Sequence, residues 1–252
     1  MYVPSKWQNL LTDCTPSNGM SAAEVLQCKA ANDHLFLKSI DAIYANTTFS
    51  VNRERQVMQW LDGKLNVPKV VDYAARDNRE YLLMSAINGT PAEALKESPE
   101  QFVAYLAACI NQLQSLDITD CPFNSRVDTR LAELDYLLQN GLVSLDDWEP
   151  TTNFSSAESL YQWLCDNKPL HEELVFSHGD LPANFFVSGQ EVYFYDLGRA
   201  GIADKWVDIA FCVSDIRDHC PGKAYEHHFF ELLGVEPDEQ KIEYFLLLAE
   251  MF

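Results

Sequence analysis

The sequence is poor in basic residues and has no cysteine motif of the kind that binds zinc. Its 252 residues include 18 Lys and Arg against 38 Asp and Glu, a formal net charge of −20. Such an excess of negative charge repels nucleic acid and anionic membranes, so we expect neither as a partner. The seven cysteines include no Cys-x-x-Cys pair. Their odd number argues against a disulfide framework and a structural zinc site, and predicts reduced cysteines.

Long apolar runs and low-complexity tracts are also missing. The longest apolar stretches, such as residues 244–249, are too short to span a membrane and are flanked by charge. Residues 1–6 lack the basic-then-apolar pattern of a signal peptide. We therefore expect a cytoplasmic protein, as a monomer or homodimer. With 47% hydrophobic residues, the chain can form one large domain or two lobes.

Hydrophobic spacing predicts a β-rich first third and a mainly helical remainder. Residues 35–40 and 81–84 read as strands, with Lys38 near the end of the first. Between them, the apolar face of residues 51–61, followed by Gly63, predicts a helix. Further stripes at helical spacing cover residues 102–113, 131–138 and 242–249.

A short β-rich insert interrupts the helical part of the sequence. Its strands end near Asp180 and at Asp196, about 16 residues apart, and a hairpin joins the two acids. The simplest arrangement is an α+β fold with two lobes. We predict a small β-rich N-terminal lobe over residues 1–88 and a larger, mainly helical C-terminal lobe over residues 89–252.

The two acidic motifs of this insert fit phosphoryl transfer. Asp180 lies on a short loop after a strand and can accept a proton from a hydroxyl group. Asn184 offers an amide oxygen to magnesium, and Asp196, ahead of the flexible Gly198, can reach a metal that bridges two phosphates. Each motif alone is also typical of an ordinary turn. The pair separated by a hairpin is more specific than either part.

Two further features fit the same reaction. Lys38 on a strand can contact ATP phosphates while Glu54 on a helix holds it by a charge-assisted bond, or the two can be surface charges. The turn over residues 17–21 can cover phosphates, although its single glycine equally suits a plain hairpin. Together these features supply the base, metal ligands, lysine and covering loop that phosphoryl transfer needs.

Several stretches of the sequence match one enzyme family. They cover residues 67–70, 130–138, 174–181, 196–199, 203–212 and 247–252. Through them the chain resembles the aminoglycoside 3′-phosphotransferases (kanamycin kinases), especially the type found in Gram-positive cocci, over nearly its whole length. The resemblance implies a protein kinase-like fold with two lobes. It also implies ATP- and Mg²⁺-dependent phosphorylation of the 3′-hydroxyl of an aminoglycoside, and hence antibiotic resistance.

The resemblance assigns roles to the candidate residues. It implies that Asp180 is the catalytic base, that Asp196 and Asn184 hold magnesium, and that Lys38 and Glu54 form the pair that contacts the phosphates. The remaining nucleotide contacts that it implies are an aromatic ring on adenine, a hinge whose backbone bonds the adenine edge, and a loop residue near the β-phosphate. These are Phe36, the segment from Met84 to Ala86, and Ser21.

The family's substrates carry several ammonium groups, which acids hold. The positions that match the family's substrate site are Asp146, Glu149, Arg199, Asp218, Glu250 and the terminal carboxylate of Phe252. The sequence departs from the family where Asn184 follows Asp180 by four residues instead of five, with Pro182 in that loop. It also has Ala249 in place of an acid and Ile202 in place of a basic residue.

Two alternatives to the aminoglycoside kinase remain open from the sequence. One is a kinase of the same fold that acts on another small hydroxyl compound, such as an amino alcohol or an unrelated antibiotic. The other is a nucleotide- or drug-binding homologue impaired in catalysis by the shortened loop.

Overall fold

A computed structural model describes residues 3–17, 22–31, 33–145, 148–149 and 152–252 of the chain. The strands are, in chain order, β1 (Thr12–Ser17), β2 (Glu24–Ala30), β3 (Asp33–Asp41), β4 (Val70–Arg76), β5 (Arg79–Ser85), β6 (Thr90–Pro91), β7 (Leu174–Ser177), β8 (Phe185–Ser188), β9 (Glu191–Phe194) and β10 (Gly201–Asp204).

The helices follow the apolar stripes of the sequence. They are α1 (Val51–Leu61), α2 (Ala92–Leu95), α3 (Pro99–Gln114), α4 (Val127–Gln139), α5 (Ala157–Asp166), α6 (Trp206–His219), α7 (Lys223–Leu233) and α8 (Glu239–Ala249), with short 3-10 turns at Ala42–Tyr44 and Leu197–Arg199. Within the described ranges, none of these helices combines the length and apolarity needed to cross a membrane.

The chain divides into two compact units. The first contains Met1–Pro91 and Asn184–Ala200, and the second contains Ala92–Ala183 and Gly201–Phe252. The sequence predicts a boundary at residue 88, between a lobe that binds the nucleotide and a lobe that carries the catalytic and substrate-binding residues. Contacts alone do not test that division, so it stays a prediction.

The first unit is built on an antiparallel sheet in the order β1-β2-β3-β5-β4. Side chains alternate across a strand, so the buried Leu35 and Leu37 of β3 face one side. There they join a core with Trp7, Tyr81 and other apolar residues. Lys38 directly follows Leu37 on the strand and therefore points to the opposite face, where it is only 7% exposed.

Helix α1 begins and ends where the sequence predicts. The hydroxyl of Ser50 accepts the backbone N–H of Arg53 and caps its first turn. Its buried face consists of Val51, Glu54, Val57, Met58 and Leu61. One glutamate in an otherwise apolar face needs a charged partner, because an unpaired buried carboxylate is costly.

The predicted hairpin is confirmed as β8 and β9, and it belongs to the first unit. β8 pairs with β9 in antiparallel register and also with the short β6, giving a sheet in the order β6-β8-β9. β7 pairs instead with β10, in the second unit. The insert that reads as one β-rich stretch in the sequence therefore contributes to two sheets.

Helices dominate the second unit, and the buried carboxylate of Asp204 ties several of its elements together. Asp204 ends β10, accepts the N–H of Trp206 at 3.0 Å at the start of α6, and pairs with Lys241 of α8 at 2.7 Å. Its side chain is fully buried. The mixture of a β-rich first unit and a helical second unit confirms the predicted α+β class.

The expectation of reduced cysteines is wrong for one pair. Cys14 of β1 and Cys28 of β2 form a disulfide, while the structure keeps the other five cysteines as free thiols. The two partners lie on adjacent antiparallel strands, where Thr15 pairs with Gln27 and the register shifts between Thr12 and Thr15. An odd cysteine count carries no information about this register, which is why the sequence did not reveal the pair.

Candidate active site

Lys38 joins two carboxylates in the first unit. Its ammonium nitrogen lies 2.9 Å from Glu54 Oε2 and 2.5 Å from Asp196 Oδ1. Glu54 is 1% exposed, whereas the side chain of Asp196 keeps 38% of its surface exposed. The structure therefore brings together three residues that lie far apart in the sequence. One carboxylate is buried, and the other remains accessible to a ligand.

The charges of this cluster hold one another in place. Burial by itself lowers the pKa of Lys38, but the carboxylates of Asp196 and Glu54 more than offset it, so the pKa is raised. Burial raises the pKa of Glu54, with Lys38 opposing that effect and the Asp196 charge adding to it. Lys38 is thus a permanent cation at physiological pH, as a phosphate-binding lysine must be.

Asp196 has a backbone conformation that is uncommon for any residue but glycine. Its φ and ψ are both 57°, in the left-handed region. That conformation costs an L-residue roughly 1–2 kcal/mol, so neighbouring structure must maintain it. The following 3-10 turn contains Gly198, where a Cβ atom would lie 2.5 Å from the carbonyl oxygen of Thr48. No side chain fits there without moving the backbone.

Asn184 is placed beside Asp196 by the hairpin. Phe185 pairs with Phe194, and one step further the N–H of Tyr195 donates to the carbonyl of Asn184 at 3.1 Å. This register is set by β8 and β9 and is independent of the loop that follows Asp180. The register therefore pairs the backbone of Asn184 with that of Tyr195, the residue before Asp196, and the role of Asn184 as a metal ligand stays a prediction.

The predicted adenine-binding residues lie on paired strands of the same unit. Phe36 of β3 pairs with Met84 of β5, and both are half-buried. The N–H of Ala86 donates to the carbonyl of His34 at 3.0 Å, so this N–H is already used. The predicted bond from Ala86 to the adenine edge therefore has only the carbonyl group of Ala86 available. Ser21, predicted near the β-phosphate, lies outside the described residues.

In the second unit, Asp208 fixes the backbone of the loop that contains Asp180. Its buried carboxylate accepts the N–H of His178 at 2.7 Å and that of Gly179 at 2.8 Å. Gly179 has a φ of 79°, which favours glycine at the position before Asp180. Burial raises the pKa of Asp208, while the charge of His178 and the two backbone donors oppose the rise. Asp180 itself is half-buried.

The predicted substrate residues near the end of the chain make contacts within the second unit. Glu250 accepts the N–H of Glu149 and the hydroxyl of Thr152, each at 3.0 Å. It thus holds the segment that contains Glu149. The guanidinium of Arg130 lies 3.5 Å from the ring centroid of Phe252 and pairs with Glu133 at 2.8 Å.

The other predicted substrate residues are spread over both units. Asp218 is exposed on α6, and Arg199 in the first unit lies 5.6 Å from the ring centroid of Phe49. Asp146 lies outside the described residues. The roles of all these residues in binding a substrate stay predictions.

Comparison with known proteins identifies the family. The phosphotransferase enzyme family matches residues 17–244. A relative from Campylobacter jejuni, an aminoglycoside 3′-phosphotransferase, is 50% identical, with 94% of this chain and 95% of the relative covered. Relatives of the same description from Enterococcus faecalis and Staphylococcus aureus are 47% and 46% identical, each with 94% of this chain and 92% of the relative covered.

The chain belongs to the aminoglycoside 3′-phosphotransferase family. It is therefore a phosphotransferase enzyme, and the resemblance to the type of Gram-positive cocci is confirmed.

Solved structures confirm the fold expected for this family. An aminoglycoside 3′-phosphotransferase of type VIII is 25% identical, with a TM-score of 0.82 over 98% of this chain and 97% of that one. The aminoglycoside phosphotransferase APH(3'')-Id from Streptomyces rimosus, in complex with ADP and streptomycin, is 21% identical. Its TM-score is 0.76 over 94% of this chain and 91% of that one. At that identity the likeness concerns the fold alone.

The sequence did not reveal the individual roles of two buried acids in this aminoglycoside phosphotransferase. Asp204 and Asp208 lie in the matched stretch 203–212, where the resemblance gave them no individual role. Their signal was one acid two residues before an apolar helix and a second acid within the first turn of that helix. An acid at a helix start is also an ordinary cap, so the pattern alone does not reveal the link to His178 and Gly179.

Proposed function

We propose that this enzyme transfers the terminal phosphate of ATP to the 3′-hydroxyl of an aminoglycoside. The observation that carries the proposal is the pairing of Lys38 with Glu54 and Asp196. A lysine fixed by a buried glutamate and an accessible aspartate is the arrangement that phosphoryl transfer requires. The relatives at 46–50% identity supply the acceptor, since each is an aminoglycoside 3′-phosphotransferase.

ATP is the proposed phosphate donor. The ammonium group of Lys38 offsets negative charge on the phosphates, and its pairing with Glu54 keeps the group in place. The half-buried Phe36 and Met84 offer apolar surface to an adenine ring. The Streptomyces neighbour of this fold binds ADP, which supports a nucleotide here.

Magnesium is the proposed cofactor, and the residues present fit it. Asp196 offers a carboxylate and Asn184 an amide oxygen, and the hydrogen bond from the N–H of Tyr195 to the carbonyl of Asn184 supports a shared site. Magnesium prefers hard oxygen ligands and is commonly held by one or two side chains together with substrate phosphates. When bound, the metal supplies positive charge that offsets the charge of the transferred phosphoryl group.

Asp180 is the proposed catalytic base. Its carboxylate accepts the proton of the 3′-hydroxyl as the hydroxyl oxygen bonds to the terminal phosphorus of ATP. The bond from that phosphorus to the bridging oxygen breaks, and ADP leaves with the electron pair. Asp208 supports this role through the backbone of His178 and Gly179, because it fixes the loop ahead of Asp180.

The acidic composition suits a polycationic acceptor. The acids Asp146, Glu149, Asp218 and Glu250 and the terminal carboxylate of Phe252 are proposed to hold the ammonium groups of the drug. Arg199, a cation, is proposed to contact the drug at its hydroxyl groups. The net charge of −20 attracts such a substrate from a distance. Most of the charged residues still belong to the rest of the protein surface.

An assay with matched substrates and variants tests the proposal. ADP release is measured with kanamycin, with its 3′-deoxy analogue and with an amino alcohol such as choline. The position of the phosphate on the product is then assigned by ³¹P and ¹H NMR. Asp180→Asn is compared with Asp166→Asn, whose carboxylate at the end of α5 bonds Gln162 on the exposed surface.

We expect turnover with kanamycin but not with its 3′-deoxy analogue. Asp180→Asn is expected to lower kcat by about 10²- to 10⁴-fold, the range for loss of a general base, while Asp166→Asn is unaffected. Turnover of choline alone would point to a kinase for another hydroxyl compound. Nucleotide binding without any turnover would identify an impaired homologue, and either result rejects the proposal.

Cellular location and assembly stay predictions. Consumption of ATP favours the cytoplasm as the place of the reaction, and the expected assembly is a monomer or a homodimer. Sedimentation velocity of the purified chain decides between the two states.

A further inference from the structure

Arg53 makes a two-pronged contact with the turn that follows Asp196. Its Nε donates to the carbonyl of Gly198 at 2.8 Å, and its Nη2 donates to the carbonyl of Ala200 at 2.9 Å. Both carbonyls belong to the end of the 3-10 turn Leu197–Arg199, where backbone acceptors have few partners of their own. The planar guanidinium matches two acceptors at once, which a single ammonium group does less well.

Glu54, the next residue on α1, is linked through Lys38 to the opposite end of the same turn. Its carboxylate pairs with Lys38, which also pairs with Asp196, the residue that begins the turn. Consecutive residues of one helix are thus linked to both ends of the turn, Glu54 through Lys38 and Arg53 through two backbone carbonyls. The turn follows directly on the left-handed Asp196, whose conformation is unfavourable without such support.

Close packing restricts the turn from a third direction. The backbone of Gly198 lies against the carbonyl of Thr48, just before α1, with no room for a Cβ atom. The turn is therefore held between the Thr48 segment and the side chain of Arg53. If Arg53 is removed, the contacts of Glu54 and Thr48 remain, but the carbonyls of Gly198 and Ala200 lose their shared donor.

We propose that Arg53 is a positioning residue that keeps Asp196 in the left-handed conformation needed to hold a divalent cation. Arg53 acts through the backbone of the turn and has no contact with the nucleotide in this role. The inference rests on the proposed role of Asp196 as a metal ligand. It predicts that loss of Arg53 weakens binding of the metal–nucleotide complex and leaves metal-free nucleotide binding unchanged.

The chain offers a matched control on the same helix. Arg55 bonds Asn52 and Gln59 of α1 and lies over the ring of Tyr73. It has the same charge as Arg53 and lies two residues away. Arg53→Met and Arg55→Met therefore remove the same group from the same helix.

The test measures binding with Mn²⁺ as a spectroscopic substitute for magnesium. Free Mn²⁺ is titrated by electron paramagnetic resonance in the presence of ADP, and ADP binding without metal is measured by calorimetry. For Arg53→Met we expect Mn²⁺ binding in the presence of ADP to weaken about tenfold, equivalent to about 1.4 kcal/mol. Mn²⁺ binding by Arg55→Met should stay within about twofold of the wild-type value. ADP binding without metal should also stay within about twofold of wild type in Arg53→Met.

Arg53→Lys keeps the charge and provides a second test if the methionine variant does not fold. Its single nitrogen is expected to give Mn²⁺ binding between that of wild type and that of Arg53→Met. Wild-type Mn²⁺ binding in the foldable Arg53 variant would overturn the inference. The inference would also be overturned if Arg53→Met and Arg55→Met weakened Mn²⁺ binding equally. The same holds if Arg53→Met weakened metal-free ADP binding as much as Mn²⁺ binding.

Aminoglycoside turnover by the wild-type enzyme is measured separately. If the wild type fails to phosphorylate kanamycin while Arg53→Met still weakens Mn²⁺ binding selectively, the proposed acceptor is wrong and the role of Arg53 stands. If turnover is normal and Mn²⁺ binding is unaffected by Arg53→Met, the role of Arg53 is wrong and the proposed function stands.

Discussion

The buried carboxylate of Asp208 holds the backbone N–H of His178 at 2.7 Å, two residues before the proposed catalytic base. The same carboxylate accepts the N–H of Gly179, so both amide groups ahead of Asp180 are fixed by one side chain. The contact comes from α6 and requires no participation of the loop's own side chains. The position of Asp180 therefore depends on a residue that is nearly 30 positions away in the sequence.

Asp208→Asn is expected to lower kcat about 10²-fold, because a displacement of about 1 Å at a reacting group has that effect. An amide group accepts through one oxygen only, so one of the two N–H donors loses its partner. KM for ATP should change little, since Lys38 and Asp196 are untouched. Steady-state kinetics with both substrates provide the measurement. A large rise in KM for ATP with an unchanged kcat would contradict this role.

Loss of Lys38 is expected to destabilise the fold. Lys38→Met leaves Glu54 buried without its cation, which costs about 3–5 kcal/mol of unfolding free energy for a buried pair. Lys29→Met is the control, since its pair with Asp13 is exposed and worth less than about 1 kcal/mol. Urea unfolding of both variants gives the values.

The pH dependence of the Lys38→Met variant has a defined sign. Burial already raises the pKa of Glu54 above 4.5 in the wild type, and Lys38 opposes that rise. Without Lys38 the folded state binds this proton more tightly than the unfolded chain does. The stabilising contribution of protonated Glu54 is then complete below pH 4.5 and is lost as the pH rises through the raised pKa of this residue. Adding Glu54→Gln should remove the dependence, and its persistence would exclude Glu54 as the cause.

Glu250 is expected to position the segment that contains Glu149, in addition to its proposed contact with the drug. Thr152→Val removes one of the two donors to Glu250 and should raise KM for kanamycin about threefold to tenfold, the worth of one hydrogen bond. KM for ATP is the internal control and should not change. If Glu250→Gln raises KM for kanamycin and Thr152→Val has no effect, Glu250 contacts the drug without help from Thr152.

Thiol counting checks the disulfide. Denatured protein prepared without reductant should titrate as five thiols, and reduced protein as seven. The double variant Cys14→Ser/Cys28→Ser should titrate as five under both conditions. Seven thiols in the oxidised, purified protein would contradict the pairing.

The sequence predicted best what depends on local spacing. The apolar face of residues 51–61 gave α1 its bounds, because one helix turn and its cap involve neighbouring residues only. The β8–β9 hairpin was found for the same reason. The pairing of β7 with β10 was missed, since the partner of a strand is decided by residues about 25 positions apart, and the hydrophobic pattern alone does not specify it.

The site was predictable as a set of residues and not as a geometry. The family resemblance named Lys38, Glu54 and Asp196, and the structure joins them. It did not reveal Arg53, although Arg53 directly precedes Glu54, because Arg53 gains its contacts only when the Gly198 turn folds onto α1. The effect of the shorter loop before Asn184 stays a prediction, because the strand register concerns only the backbone that follows this loop.

The first unit is assembled from two separate pieces of chain, with residues 184–200 returning to it after residues 92–183. This connectivity bears on how such resistance genes recombine. A single crossover within the codons for residues 92–183 gives a chimaera with Lys38 and Arg53 from one parent and Asp196 and its turn from the other. Exchange between diverged relatives is therefore harmless only where both parents share the same contacts, or where two crossovers transfer the intervening segment alone.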